Sequence, residues 1–301
     1  MTRTIIVGLD GSPESRAAAE WAAREAKLRG LPVKILHVWE PVPEPMAQAP
    51  LLGVETHRHW SEKIPRDCAE GLRLRHPGVE VTAEHLAGRP SEMLCEAAKG
   101  AELLVLGSRG LSGIGGFLVG SVGLAVVAHA ECPVVLVRAG EQAADEHEMD
   151  PAGVPSAATR YRPVVLGIDT DHLDASVIEF AFDAAARRDT GLRAVHGWSL
   201  PPYHRDGPTT DLERYDQIAH RHASALAEAL SLWQQKYPSV EVVEESPSGS
   251  PASQLIDASH NASLVVVGRR IRRHPFGVHI GSVTHAVLHH ATAPVAVVAH
   301  D

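Results

Sequence analysis

Cysteine is scarce in this chain of 301 residues: only Cys68, Cys95 and Cys132. They lie too far apart for a CxxC zinc or redox motif, and an odd number argues against a disulfide framework. Positive charge is in deficit. The 28 Lys and Arg against 37 Asp and Glu leave a formal net charge of −9, which argues against a scaffold held to nucleic acid by phosphate contacts. No apolar run reaches the ~18 residues of a membrane span. Met1–Gly8 passes straight into a strand pattern, with neither the apolar core nor the small-residue cleavage site of a signal peptide. Catalytic signatures are missing as well. No Gly-Lys pair occurs, so there is no P-loop for Mg-dependent hydrolysis, and no GxSxG elbow marks a serine hydrolase. What remains is 44% hydrophobic and 22% charged, a composition that excludes collagen, low-complexity and disordered classes. The expectation is a soluble, cytoplasmic chain of two domains, since typical domains run to ~100–150 residues.

An internal repeat supports two domains. Ile5-Ile6-Val7-Gly8-Leu9-Asp10 recurs as Val164-Val165-Leu166-Gly167-Ile168-Asp169, and Leu36-His37-Val38-Trp39 as Val195-His196-Gly197-Trp198. Gly88-Arg89-Pro90 returns as Gly249-Ser250-Pro251, Leu103–Gly107 as Leu264–Gly268, Gly120-Ser121-Val122 as Gly281-Ser282-Val283, and Cys132-Pro133-Val134 as Ala293-Pro294-Val295. Corresponding positions are 159 residues apart in the first two pairs and 161 in the rest. A period this long means two copies of one domain rather than a solenoid. The copies are read as 1–140 and 161–301. Between them, 141–160 carries Glu141, Asp145, Glu146, Glu148 and Asp150 and then Pro, Gly, Ser and Ala, the composition of an acidic, flexible linker.

Each copy alternates strand and helix patterns. In the first, strands are expected over Arg3–Leu9, Pro32–Trp39, Val79–Leu86, Leu103–Gly107 and Val134–Val137. Helices are expected over Pro13–Leu28, Trp60–Arg75, Ser91–Ala98 and Ser121–Ala130. The strands are continuous Val, Ile and Leu runs, which suit parallel strands covered on both faces. Ser12-Pro13-Glu14 is a helix start: a Ser N-cap, Pro in the first turn and an acid at the positive end. The alternation implies a doubly wound α/β sheet.

After the fourth strand pattern come Gly107-Ser108-Arg109-Gly110, nine further residues, and Gly120-Ser121-Val122 opening a helix. Glycines allow close backbone approach to an anion. The free N–H groups and dipole of a helix start favour phosphate. Ligands of doubly wound sheets sit at the carboxyl ends of the strands where strand order reverses, which brings in Gly8 and Asp10. Asp10 is an acceptor suited to a ribose hydroxyl or an adenine amine, and Val38 could offer backbone groups to a base edge. The spacing Gly107-x2-Gly110-x9-Gly120-Ser121, with Asp10, His37-Val38 and Cys132-Pro133-Val134-Val135, resembles the ATP-binding pattern of universal stress proteins, and the resemblance spans both repeats. It is similar to the tandem, actinobacterial kind. The resemblance implies two Rossmann-like domains of the adenine nucleotide alpha hydrolase-like type, each a five-stranded parallel sheet of order 3-2-1-4-5. It also implies an adenine nucleotide, ATP with or without Mg, held by Gly8, Asp10, Val38, Gly107, Ser108, Arg109, Gly110, Gly120, Ser121 and Val122. The implied function is nucleotide-dependent regulation or stress response, with slow ATP hydrolysis or nucleotidyl or phosphoryl transfer as the alternative.

The second copy keeps Gly167, Asp169, Gly268, Gly281, Ser282 and Val283 and has Gly197 in place of Val38, all candidate ligands, but Ile271 stands where the first has Gly110. If that position needs positive φ, a β-branched residue is costly there. Asp171 would repel a triphosphate. Arg269 to Arg273 could compensate as phosphate ligands or form a solvated run. The second site is therefore expected to be degenerate. The pairs His57/His59, His220/His222 and His285/His289 have spacings that can share a metal, but none carries a Cys or Glu in register, and they are read as surface or half-buried histidines. His279-Ile280-Gly281-Ser282 matches a nucleotidyltransferase HIGH box by chance. The final strands, Val134–Val137 and Val295–Val298, are apolar edges of the kind that pair. They are expected to pair with each other within the chain, an arrangement the resemblance also implies, and further dimerisation of the whole chain is expected beside it.

Overall fold

The computed structural model describes residues 3–40, 54–108, 119–199, 212–271 and 280–301. It divides into two compact units, Met1–Ala143 and Ala144–Asp301.

In the first unit the chain runs β1 (Ile5–Gly8), α1 (Pro13–Arg29), β2 (Val33–Trp39), α2 (Val54–Arg75), β3 (Val81–Ala87), α3 (Pro90–Ala97), β4 (Leu103–Ser108), α4 (Ser121–His129) and β5 (Val134–Arg138). Strand order is β3-β2-β1-β4-β5. Every pairing is parallel, with Val7 level with Ile35 on one side and Val105 on the other. The second unit repeats the plan with β6 (Val164–Gly167), α5 (Ala175–Arg187), β7 (Leu192–Val195), α6 (Leu212–Lys236), β8 (Val242–Glu245), α7 (Pro251–Ser259), β9 (Leu264–Arg270), α8 (Ser282–His290) and β10 (Val295–His300). Its order, β8-β7-β6-β9-β10, is again parallel throughout. The expected 3-2-1-4-5 sheet is present in each unit.

The central strands are apolar on both faces because both are covered. Ile5, Val7, Leu103, Leu104 and Val105 are fully buried, as are Val164, Val165, Leu166, Leu264 and Val265. Helix α1 meets the sheet through Ala18, Ala19, Ala22 and Ala23 and a single large residue, Trp21. Small side chains let it lie close. A Cβ added at Gly107 would stand 2.5 Å from the Glu14 carbonyl carbon and 2.6 Å from the Ser15 nitrogen. At the far end of α1, Arg29 forms a buried ion pair with Glu25 (2.6 Å) and reaches Glu102 at 3.3 Å. In the second unit α5 and α6 meet through aromatic rings, with Phe182 packed on Trp233 and Tyr237 at centroid distances of 6.2 and 5.5 Å.

Two expectations need correction, and one helix departs from the repeat. Helix α2 begins at Val54, not Trp60, and carries Pro65 in its interior; proline reads as a helix breaker because it removes one backbone bond, but the flanking turns continue on both sides. Helix α5 starts at Ala175, although the repeat offset places its first turn at His172; Asp174, not Asp171, is its N-cap. Finally, 141–160 is not a bare tether. Glu141 pairs with Arg24 at 2.6 Å. Beyond it the chain forms antiparallel bridges, His147 to Tyr161 and Met149 to Pro155. Asp150 Oδ1 accepts from the N–H groups of Ala152 and Val154, Arg162 donates to the carbonyls of His147 and His260, and Glu146 is buried. Aspartate and arginine here satisfy backbone groups, a use that composition alone does not disclose.

The close contact at Gly107 predicts that Gly107→Ala destabilises the fold by about 1–3 kcal/mol, because backbone must move to admit the methyl group. Gly281→Ala is expected to stay within about 0.5 kcal/mol of wild type, since its φ is −57° and nothing lies within 4 Å of the added carbon. Urea denaturation of both variants checks the pair, and equal midpoints would refute the packing argument.

Candidate functional site

The strand ends of β1 and β4 diverge where the strand order reverses, and a cavity of about 330 Å³ opens there in the first unit. It is lined by Gly8, Asp10, Val38, Gly107, Gly120, Ser121 and Val122, seven of the expected residues. Ser12, Ser15, Leu36, Pro90, Leu94 and Leu106 also line it and were not singled out from sequence. The Gly88-Arg89-Pro90 repeat was the available signal for Pro90 and Leu94, because it opens α3 over the cavity. Ser108 is a correction: it is buried, its hydroxyl donates to the Val137 carbonyl at 3.1 Å, and it does not line the cavity. Arg109 and Gly110 lie outside the described residues.

Two local devices shape this site. Asp10 Oδ1 accepts from the Ser12 N–H (2.9 Å) and hydroxyl (2.5 Å), while the Ser12 oxygen accepts from the Ser15 N–H as the N-cap of α1. The aspartate is thereby held at the strand end. His37 Nδ1 donates to the Leu9 carbonyl at 2.7 Å, bracing the same strand end from β2. His196 repeats that bond to Ile168 at 3.1 Å, which accounts for a histidine at both repeat positions. Across the cavity, Gly120 caps α4 at φ −64° with no side-chain partner. The first-turn N–H groups of α4 have no acceptor within the helix. Its φ shows that backbone strain does not require glycine at that cap.

The second unit has a cavity in the same place, larger at about 610 Å³. Gly167, Asp169, Gly197, Gly268 and Val283 line it, whereas Gly281 and Ser282 flank it as the N-cap and first residue of α8. The unwound first turn of α5 explains the extra volume. Asp171, His172, Leu173 and Asp174 line a loop where the first unit has helix, and the nearest atom to a Cβ at Gly268 is the His300 side chain, not helix backbone. The strain argument for Ile271 is also corrected. Among described non-glycine residues only Asp189 has positive φ, and Ile271 donates to the His300 carbonyl, continuing the β9–β10 ladder. The run Arg272-Arg273 lies outside the described residues. Of the histidine pairs, His57/His59 lies in a part of α2 whose side chains are not described; His285 and His289 touch ring to ring at 4.4 Å. Among the described residues no cluster of three His, Cys, Asp or Glu could hold a metal, and no helix is long and apolar enough to cross a membrane.

Two parallel α/β sheets, each with a crevice at the switch point and a glycine-capped helix facing it, define a duplicated Rossmann-like protein. The sequence profile of the universal stress protein family matches residues 1–138 and 160–299. A universal stress protein of Mycolicibacterium smegmatis is 34% identical over 304 residues, covering 98% of this chain and 96% of its own length. One from Mycobacterium tuberculosis is 34% identical over 309 residues, covering 97% and 96%. The crystal structure of a universal stress protein from Archaeoglobus fulgidus superposes with a TM-score of 0.65 at 18% identity over the full length of both chains, a likeness of fold. The chain belongs to the universal stress protein family, as a tandem pair of its domains.

Asp174 supplies a test of the altered helix start. Burial alone would raise its pKa, but the hydroxyl and N–H of Ser176 and the nearby His300 outweigh that and hold the carboxyl below its usual range. A lowered native pKa means stability that is present above the unfolded value, about pH 4, and lost as pH falls through the native one. Asp174→Ala is expected to cost about 1 kcal/mol at pH 7, as for loss of an N-cap, with the difference from wild type shrinking towards pH 3. Urea melts across that range measure it, and a pH-independent difference would exclude the carboxylate as the cap.

Proposed function

We propose that this is an ATP-binding regulatory protein of the stress response, cytoplasmic, with its competent nucleotide site in the first unit. One observation carries the reading: a single cavity gathers Gly8, Asp10, Val38, Gly107, Gly120, Ser121 and Val122 from four separate stretches of chain. Its volume falls in the range of small-molecule sites, and its two ends differ as an adenine nucleotide's ends do. Leu36, Val38, Pro90 and Leu94 offer apolar surface to a base, Asp10 offers an acceptor to ribose, and the start of α4 offers amides to phosphate. Mg would enter on the nucleotide's own phosphates, since among the described residues Asp10 is the only carboxylate lining that cavity. Among the described residues no general base stands beside the phosphate end, which favours binding over turnover, and multiple turnover of radiolabelled ATP by the purified protein would displace this reading. Dimerisation of the whole chain belongs to the same proposal, and sedimentation of the whole chain reads it.

Gly120→Ala tests the site without threatening the fold, because alanine is at ease at the glycine's φ of −64°. Calorimetric ATP affinity is expected to fall at least about tenfold, or ~1.4 kcal/mol, with an unchanged urea midpoint. Asp10→Asn, which keeps an acceptor for the turn, is expected to weaken ATP by a similar factor, as for loss of a charged hydrogen-bond partner. Wild-type affinity in both variants would remove the site from this cavity.

A further inference from the structure

The larger cavity differs from its counterpart in charge more than in shape. Among the described residues no histidine lines the first cavity, and Asp10 is the one ionisable group there. The second is lined by Asp169, Asp171, His172 and Asp174 from the β6–α5 loop, His196 from β7, His222 from α6, Arg270 from β9 and His300 from β10. Helices α7 and α8 contribute nothing that titrates, and Arg221 lies beside His222 on α6. With the imidazoles neutral, three carboxylates against one guanidinium leave the described lining at −2, which repels phosphate.

The histidines are arranged to change that sign. His196 Nδ1 faces the Ile168 carbonyl, so it carries the hydrogen and leaves Nε2 as an acceptor. The hydroxyl of Thr170 (3.3 Å) and Nδ1 of His222 (3.0 Å) both point at that Nε2. The first proton taken up therefore goes to the outer Nε2 of His222, where the inter-histidine bond survives and becomes charge-assisted. A second would set hydrogens on both facing nitrogens, so the pair takes one proton as a unit. The resulting imidazolium lies flat on the Trp198 indole, 4.8 Å away at 10°, a cation–π contact. His172 stands 3.1 Å from Asp169 and His300 3.7 Å from Asp174, so protonation of each quenches one carboxylate. One proton on the pair and one on each of these two turn the lining from −2 to +1.

We infer that the cavity of the second unit is a proton-gated anion site, which admits the phosphates of a nucleotide when its histidines are protonated and rejects them at neutral pH. The ligand class rests on the nucleotide reading of the family fold given above; the gate rests on the histidines. The phosphate end is provided for. The α8 start is capped by Gly281 with no side-chain partner and open space around the missing Cβ, and Val283 and Thr284 of its first turn line the cavity. In the unliganded protein, burial and then the neighbouring His196 push the His222 pKa below the ordinary imidazole value. Anion binding must raise it, so binding takes up protons and strengthens as pH falls.

The test is calorimetric titration of the full chain with ATP at pH 7.5 and 5.5, repeated in buffers of different ionisation enthalpy. The first unit's site, lined by no histidine among the described residues, serves as an internal reference. One nucleotide per chain is expected at pH 7.5. At pH 5.5 a second is expected, at least tenfold tighter there than at pH 7.5 and accompanied by net proton uptake. His222→Phe keeps the stack on Trp198 without the proton, and His222→Gln keeps a donor to His196. In both the second site is expected to be lost while the first persists. A single site at both pH values, or a second site that survives in both variants, overturns the gate. If ATP binds nowhere, the nucleotide reading of the chain falls instead. Inorganic triphosphate is then titrated in its place, and binding that does not grow towards pH 5.5 overturns the gate as well.

Discussion

Much of the first unit follows from one contact, the first turn of α1 lying against the end of β4 at Gly107. Backbone meets backbone there with no room for a methyl group. The alanine face of α1 permits the approach along the rest of the strand. The helix start is thereby fixed, and with it Ser12 and Ser15, which in turn hold Asp10 at the strand end. In the second unit the same glycine position, Gly268, faces an imidazole, the helix begins later, and the crevice widens. Among the described residues, a later helix start and ionisable side chains brought in from several elements separate the broad second crevice from the narrow first one.

The two units therefore share a frame and differ in electrostatics. Both brace the first strand end with a histidine on the neighbouring strand, and both cap the helix after the fourth strand with glycine. In the second unit the bracing histidine acquires a partner, His222, so a structural bond in one copy becomes half of a proton-binding pair in the other.

The architecture was legible because its signals are local or periodic. Buried parallel strands read as apolar runs, Ser12-Pro13-Glu14 reads as a helix start, and the repeat doubles every piece of evidence. The first site was legible where glycines and an aspartate mark strand ends. What escaped depends on contacts between distant residues or on loop backbone. Ser108 sits in the glycine loop by sequence, yet its hydroxyl belongs to β5. The α5 start moved because Asp174 and Ser176 form a cap that competes with the one the repeat offset places at Asp171. Ile271 carries no strain because the ladder simply extends through it. The His196–His222 pair joins a strand to a helix through residues 26 apart, and no spacing rule announces it.

The hairpin that follows Ala143 has a consequence for how such a duplicated gene can be recut. Its residues are stitched to the second copy: Arg162 holds the carbonyl of His260, and Tyr161 carries the ring of His147 at 4.0 Å. A recombination junction placed in the middle of the acidic stretch would split these pairs and leave the second copy with half an appendage. One placed next to Ala143 divides the chain where its own folded masses divide. Exchange of the amino-terminal copy between relatives is thus mechanically simple at that point. The carboxy-terminal copy travels as a longer module that brings its own leader with it.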